Sequence, residues 1–469
     1  VKRLLGILIL VAGCSVGPNY HAPKLASPAE WETGTNTAPA IVEWWKTFND
    51  PELNTLVERA VRANHDLRIA EGRLREARAL RSGAIWDFGP TIIGNASYMD
   101  QLRARNAQTF SASNQVFHTY LYDAHFDASW EIDIFGGKRR ALESANAQFA
   151  AVEEDRRDVL VSVLAEVARN YVEVRGSQQR FAIANKNIKA QSEAVEIAKA
   201  RFNAGLTSEL DVKQAESLLA TTQAQLPSFD TAVKQGIHRL SVLLGQQPSA
   251  LQSELTQDAP IPATPPNVPV GLPSDLLRRR PDVRRAERQL ASSNADIGVQ
   301  TAELFPKFSL IGTGGFQSLS VSDWFVPQGK YWSAGPTVTW RFLDFGRIHA
   351  QVKAANARQQ QSLAAYEKAV LISFEDVENA LVAYANEQVR HRALMDAAAA
   401  NRRALELANE LYTKGLGDFL NVLDAERSLY QAEDQLVDSE RAVTSNLVAL
   451  YKALGGGWET KNDLAQTKK

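Results

Sequence analysis

Tyr120-Leu-Tyr-Asp-Ala-His-Phe-Asp-Ala-Ser-Trp-Glu-Ile-Asp133 decides how the chain is read. Side chains along a strand alternate between two faces. One face then carries Tyr120, Tyr122, Ala124, Phe126, Ala128, Trp130 and Ile132. The other carries Leu121, Asp123, His125, Asp127, Ser129, Glu131 and Asp133. An apolar face backed by a strongly acidic one suits a barrel wall between lipid and a wet lumen. A soluble half-buried sheet alternates similarly, so the pattern alone leaves both open. Alternation recurs in Trp332, Ala334, Pro336, Val338, Trp340 and Phe342, in Ile92, Gly94, Ala96 and Tyr98, and in Phe308, Leu310, Gly312, Gly314 and Phe316. Each stretch has about 9 to 13 residues, enough for a tilted strand to cross a bilayer.

Four strands cannot close a barrel. Open edges in hydrocarbon leave backbone groups unpaired at several kcal/mol each, and single-chain barrels start at eight strands. Chains must therefore pool strands. Two copies would give eight, with an interior filled by side chains; three give twelve, with room for a pore.

The rest of the chain reads as helix. Residues 130–245 align without a gap on 340–455 at an offset of 210: Trp130, Phe135 and Gly136 match Trp340, Phe345 and Gly346, and Gly205-Leu206 matches Gly415-Leu416. A weaker upstream match sets Asp66, Arg68 and Glu71 against Asp282, Arg284 and Glu287 at an offset of 216. Each half runs helix, two strands, long helix, turn, helix. Single helices are expected over Pro51–Ile85, Ser208–Leu244, Ser274–Glu303 and Asp418–Leu454. Between Lys138 and Phe202 only Gly176 opposes helix, at about 1 kcal/mol. Ala145, Phe149, Val152, Val159, Val163, Val167 and Val174 form a near-heptad stripe suited to side-by-side helix packing. A helix of about 65 residues is about 100 Å long, too long for a compact core. Its counterpart is expected over Arg347–Thr413.

With 52 basic and 54 acidic residues, the charge balance gives no reason to expect nucleic acid. The one cysteine, Cys14, excludes an internal disulfide and a Cys-based metal site. Lys2 and Arg3, then apolar Leu4 to Ala12, then Gly13-Cys14 form a signal peptide with its cleavage site. Val11-Ala12-Gly13-Cys14 resembles a bacterial lipobox, which implies S-diacylglycerol and N-palmitoyl on Cys14 and no other cofactor. Ser15, where an Asp would favour the inner membrane, points to the outer one.

Taken together, these residues resemble the outer membrane factor family, and within it the TolC-like lipoproteins of the OprM/NodT group. The specific pieces are Cys14-Ser-Val-Gly-Pro-Asn-Tyr20, Trp44-Trp45, Asp50-Pro-Glu-Leu53, Arg201-Phe-Asn-Ala-Gly205, Leu272-Pro-Ser-Asp-Leu-Leu-Arg-Arg-Arg-Pro-Asp-Val-Arg-Arg-Ala-Glu287 and Tyr451-Lys-Ala-Leu-Gly-Gly-Gly-Trp458. The resemblance implies a mainly α chain with transmembrane β: a homotrimer, with four strands per chain in a shared 12-stranded barrel, standing on a long periplasmic α-helical barrel. It implies a signal peptide at 1–13, an anchored extension at 14–50, repeats at 51–245 and 273–455, a Pro-rich equatorial connector at 246–272 and a tail at 456–469.

The function implied is that of a passive outer-membrane conduit in a tripartite efflux system for drugs and small molecules, exposed to outer-membrane lipid in a Gram-negative cell. A periplasmic adaptor would touch the tips at Gly205, Leu206, Gly415 and Leu416. An inner-membrane transporter of the resistance-nodulation-division type would supply energy. Tyr412 and Asp211 match a linked pair that holds the periplasmic gate closed, and Asp424 matches an acidic ring. A second acid of that ring is Asn421 here, and a family arginine is Gly417.

Nothing in the sequence supports an enzyme. Gly13-Cys-Ser-Val-Gly17 matches an esterase pattern but follows a signal stretch rather than a strand. The basic run Arg278 to Arg285 is expected to be a solvated face, and Phe135-Gly-Gly-Lys138 a strand-to-helix joint. Two other readings stay open: a lipid-anchored periplasmic coiled-coil scaffold without channel activity, and a duct for protein or metal export.

Overall fold

The computed structural model describes residues 15–23, 25, 26, 28, 31, 42–102, 118–265, 268, 270, 271 and 273–459. In chain order the elements are α1 Pro51–Ala63, α2 His65–Trp86, β1 Thr91–Leu102, β2 His118–Ile132, α3 Gly137–Asn203, α4 Glu209–Gln223, α5 Leu226–Leu243, α6 Gln252–Leu255, α7 Pro273–Arg279, α8 Pro281–Ala302, β3 Lys307–Ser318, β4 Lys330–Thr339, α9 Phe345–Thr413 and α10 Phe419–Ala453. The two long helices have 67 and 69 residues, so each is about 100 Å long.

Three of the expected single helices are broken, each for a local reason. Asn64 parts α1 from α2. Its Oδ1 accepts from Asp66 N at 2.8 Å and Leu67 N at 3.1 Å, capping α2, while its Nδ2 donates to Leu243 O. A turn at Ala224–Gln225 parts α4 from α5, and Pro227 sits in the first turn of α5. Pro281 lacks an N–H and starts α8 afresh after Arg280.

The chain divides into two compact units that cut across the duplication, each taking segments from both halves. One unit is built of residues 1–24, 74–152 and 286–366. Its four strands form one antiparallel sheet in the order β1-β2-β3-β4. The register aligns Gly94, Phe126, Gly314 and Trp332 in one row and Ile92, Ala128, Gly312 and Ala334 in another. One face of the sheet is therefore apolar across all four strands. It stands open among the described residues: Ile92 is 65 % exposed, Phe126 66 % and Trp332 80 %. β4 stops at Thr339, three residues short of the expected Phe342, and the Trp340 indole just beyond it donates to Leu304 O at 3.1 Å.

The opposite face is polar and bonded across the strands. Asp127 accepts from Asn95 of β1 at 2.8 Å and from Thr313 of β3 at 2.5 Å, and the His125 ring lies 3.1 Å from it. Tyr331 of β4 donates to Asp123 at 2.9 Å. Each carboxylate is thus satisfied from other strands, Asp127 by β1 and β3 and Asp123 by β4 reaching across β3, which ties register to polarity.

The second unit comprises 25–73, 153–285 and 367–469. Its core gathers Trp44, Leu53, Leu56, Val167, Tyr171, Leu240, Leu251 and Tyr451. Trp44 stacks on Tyr451 at 5.3 Å. Asp50 caps α1 through Leu53 N, and its other oxygen accepts from Tyr171 at 2.9 Å. Gly176, read from sequence only as a helix weakness, makes room for Arg441: a Cβ there would lie 2.8 Å from Arg441 Cδ. Arg441 in turn reaches Glu173 at 2.7 Å.

The basic run of the α7–α8 joint is a half-buried ion-pair network rather than a solvated face. Arg280 contacts Asp282 at 2.7 Å and Asp376 at 2.9 Å, Arg284 contacts Glu154 at 2.7 Å, and Arg285 contacts Asp155 at 2.6 Å. Arg157 and Arg284 both lie over the Trp458 ring. Apart from Asp282, the carboxylates that absorb this charge (Glu154, Asp155 and Asp376) lie far along the sequence, which is why the run reads as solvated.

Asn64 joins a cap to a buried bond, so Asn64→Ala should lower stability by about 2 kcal/mol. A lower urea midpoint at unchanged slope is the expected outcome; an unchanged midpoint would contradict the role.

Candidate functional site: hairpin tips and membrane-facing strands

Both long helices end the same way. Gly205 follows α3 with φ +71°, and Gly415 follows α9 with φ +73°. Leu206 N donates to Arg201 O and Gly205 N to Phe202 O, each at 2.9 Å. Leu416 N donates to Leu411 O at 2.9 Å, and Gly415 N to Tyr412 O at 3.0 Å. These are paired Schellman caps, which need a left-handed residue at that position. Leu206 and Leu416 stand exposed at the two turns, at 68 % and 73 %.

The four helices at these turns share one apolar cluster. Ala194, Val195 and Ala198 come from α3, Val212 and Ala215 from α4, Tyr412 from α9, and Phe419, Val422 and Leu423 from α10. Tyr412 sits within it, with its ring 5.1 Å from Phe419 and the Arg201 guanidinium 4.3 Å above it. Burial pushes the Tyr412 hydroxyl above its ordinary value, with Arg201 opposing.

Tyr412 and Asp211, matched by resemblance to a linked pair, do share this neighbourhood, but they make no hydrogen bond to each other within the chain. The Tyr412 hydroxyl is buried without a bonded partner. The Asp211 carboxylate is taken up locally, by the Thr207 hydroxyl and by Ser208 N at 3.4 Å. The short hydroxyl bond closes the turn before α4 and competes for the carboxylate. What holds Tyr412 is a ring under a guanidinium, a partner that sequence reading missed although Arg201 was quoted in the tip motif. Asp424 and Asn421 lie on the exposed face of α10, away from the cluster. Asp424 pairs with Arg427 at 2.8 Å.

Aromatic side chains mark both ends of the sheet. At one end Tyr98 meets Tyr122 at 4.9 Å, Tyr122 meets Trp324 at 5.5 Å, and Trp324 stacks on Phe325 at 4.8 Å. At the other, Trp130 donates to Phe88 O at 2.8 Å and Trp340 to Leu304 O at 3.1 Å. These two bonds are copies of each other under the 210 and 216 offsets. Girdles at both interfaces around an apolar band are the mark of an outer-membrane wall.

Cys14 lies outside the described residues. The stretch after it is docked on the strand-bearing unit. Val16 N donates to Phe135 O at 3.1 Å. Arg140, 4 % exposed, donates to Val16 O at 3.0 Å, Gly17 O at 3.2 Å and Asn19 Oδ1 at 2.8 Å. Asn294 donates to Pro18 O at 3.1 Å. A Cβ on Gly17 would meet Gly298 Cα at 2.5 Å, so the backbones touch. Nothing in the local sequence around Arg140 announces this clamp, because its acceptors are 121 to 124 residues away.

No helix among the described residues is long and apolar enough to cross a membrane. No group of His, Cys, Asp and Glu among them could hold a metal ion.

The family model described as "Outer membrane efflux protein" matches residues 56–246 and 272–456. The chain belongs to the outer membrane efflux protein family. It is 33 % identical over 462 residues to Nodulation protein T of Rhizobium leguminosarum bv. trifolii, covering 96 % of each chain. It is 31 % identical over 470 residues to the solvent efflux pump outer membrane protein SrpC of Pseudomonas putida, covering 97 % of this chain and 98 % of that one. The solved outer-membrane channel OprN superposes with a TM-score of 0.89 at 38 % identity, over 95 % of this chain and 100 % of that one. An efflux protein of this family works in the outer membrane of a Gram-negative cell and reaches into the periplasm, as a conduit rather than an enzyme.

Since the Tyr412 hydroxyl has no partner among the described residues, Tyr412→Phe should leave resting conductance in planar bilayers near the parent value. Arg201→Ala, which removes the cation over the ring, should cost about 1 kcal/mol of tip packing and raise resting conductance. The reverse order of effects would restore the hydroxyl link.

Proposed function

We propose that the chain is one third of a trimeric outer-membrane channel in a tripartite efflux pump, a passive duct whose energy comes from an inner-membrane transporter. The observation that carries the trimer is the open sheet. β1 and β4 are its two ends, and the uncovered apolar face demands lipid. Neither edge can stay unpaired in hydrocarbon. Three copies joined β1 to β4 make twelve strands with a lumen lined by the Asp123–His125–Asp127 face. Two copies would fill their own interior.

The periplasmic adaptor docks at the tips through Gly205, Leu206, Gly415 and Leu416, where two apolar leucines stand in solvent on preformed turns. The transporter is of the resistance-nodulation-division type, in line with the resemblance to the OprM/NodT group. Tyr412, Asp211, Asp424 and Asn421 form the periplasmic gate. Three Asp424 carboxylates around a narrow opening attract cations and repel anions. Arg427 beside each one moderates the field, and Asn421 removes the second ring. Cys14 carries diacylglycerol and palmitate, and the Arg140 clamp holds the chain that follows it.

The named relatives support a small-molecule cargo: SrpC is described as part of a solvent efflux pump. A coiled-coil scaffold without a channel has no use for an uncovered apolar sheet between two aromatic girdles.

Purified protein in planar bilayers should give stepwise single-channel currents, and a lack of any current would contradict the channel. Asp424→Ala should reduce cation preference in a reversal-potential measurement, and an unchanged reversal potential would remove Asp424 from the gate. Labelled palmitate should enter the parent protein and be absent from Cys14→Ser; equal labelling would rule out acylation at that residue.

A further inference from the structure

The duplication pairs Glu216 of α4 with Glu426 of α10, and the two carboxylates have opposite surroundings. Glu216 is locked between two cations, Lys213 at 3.0 Å and Lys199 at 3.5 Å. The positions that would supply the same cations to Glu426 hold Leu423 and Asn409. Glu426 is 8 % exposed, and its Oε2 is buried without a bonded partner. It lies one turn beyond Val422 and Leu423, which belong to the apolar cluster joining the four tip helices.

Charged groups on the helices around that cluster are paired elsewhere or exposed, with Lys186 and Lys189 of α3 and Glu209 of α4 among the exposed ones. On α10, Asp424 pairs with Arg427. On α9, Arg402 pairs with Glu433 and Arg403 with Glu406, and Lys414 of the following turn pairs with Glu410. On α3, Lys199 serves Glu196 and Glu216, and Arg201 lies over Tyr412; Glu193 of α3 is exposed. On α4, Lys213 serves Glu216, and Asp211 closes its own turn. An ionised carboxylate at 426 would therefore stand in packed surroundings with no counter-charge.

We propose that Glu426 is a proton-binding switch in the hairpin tips: neutral, it fits the packed cluster, and ionised, it loosens that cluster and favours the spread tip. The idea rests on the channel reading only for its consequence, opening.

Burial alone pushes the Glu426 carboxyl from an ordinary 4.5 up to about 7. The folded value lies above the unfolded one, so the packed tip is favoured most below pH 4.5. That advantage is lost as pH rises from 4.5 through 7, and the full penalty applies above. A modestly acidic periplasm then keeps the resting tip tight, and a neutral to alkaline one eases it.

The test uses the full-length protein in planar bilayers between about pH 5.5 and 8.5, the range spanning the transition. Open probability should rise about threefold or more with pH, a change that 1 pKa unit of differential protonation readily supplies. Glu426→Gln should abolish the rise and stay at the acid-side value. Leu423→Lys, which gives Glu426 the cation its twin has, should also flatten the response. A rise that persists in Glu426→Gln overturns the proposal.

Trypsin cleavage at Lys414, taken as the ratio of parent to Glu426→Gln rate, reads tip loosening without any current. The ratio should be near one at acid pH and about three or more at about pH 8; a ratio of one at both overturns the switch. Absent currents together with the expected cleavage ratio would count against the channel and leave the switch standing.

Discussion

A strand edge in hydrocarbon has no water to bond, and this constraint organises the molecule. The described residues supply four strands paired to one another, and the outer edges of β1 and β4 have no partner among those residues. The apolar face commits these strands to lipid, since Phe126, Trp332 and Ile92 stand exposed among the described residues. The polar face commits them to a register, because Asp127 is satisfied by β1 and β3 and Asp123 by β4. Membrane placement and incompleteness are thus one property seen from two sides: the sheet needs lipid on one face and another copy at each edge.

Duplication supplies the second theme. The same Schellman cap closes both long helices, and the same tryptophan bond anchors both strand pairs at one end of the sheet. Function enters where the copies diverge. Glu216 keeps its two lysines while Glu426 keeps none, and Tyr412 replaces the twin Phe202. These exchanges sit beside turns that both copies close identically, at Gly205-Leu206 and Gly415-Leu416.

Much of this was legible in the sequence because the deciding signals are periodic. Alternation over Tyr120–Asp133 marks a strand with two distinct faces, and a stripe without breakers from Lys138 to Phe202 marks one continuous helix. Breaks within the shorter helices were not legible: Asn64 acts through Leu243 O, 179 residues away. The same holds for the site. Gly205 and Gly415 announce themselves, since few other residues adopt a positive φ. The Arg201 cation over Tyr412, the Arg140 clamp and the pairs of Arg280 with Asp376, Arg284 with Glu154 and Arg285 with Asp155 depend on partners far along the chain, and no local pattern encodes them.

The most direct test of the central claim is disulfide scanning across the two free edges. Cysteines at Asn95 or Ser97 of β1 are combined with cysteines at Ser333 or Thr337 of β4, and the protein is oxidised in the membrane. The account predicts that one register yields a covalently closed trimer on a denaturing gel. Disulfides confined to single chains, or covalent species that stop at two copies, would contradict it.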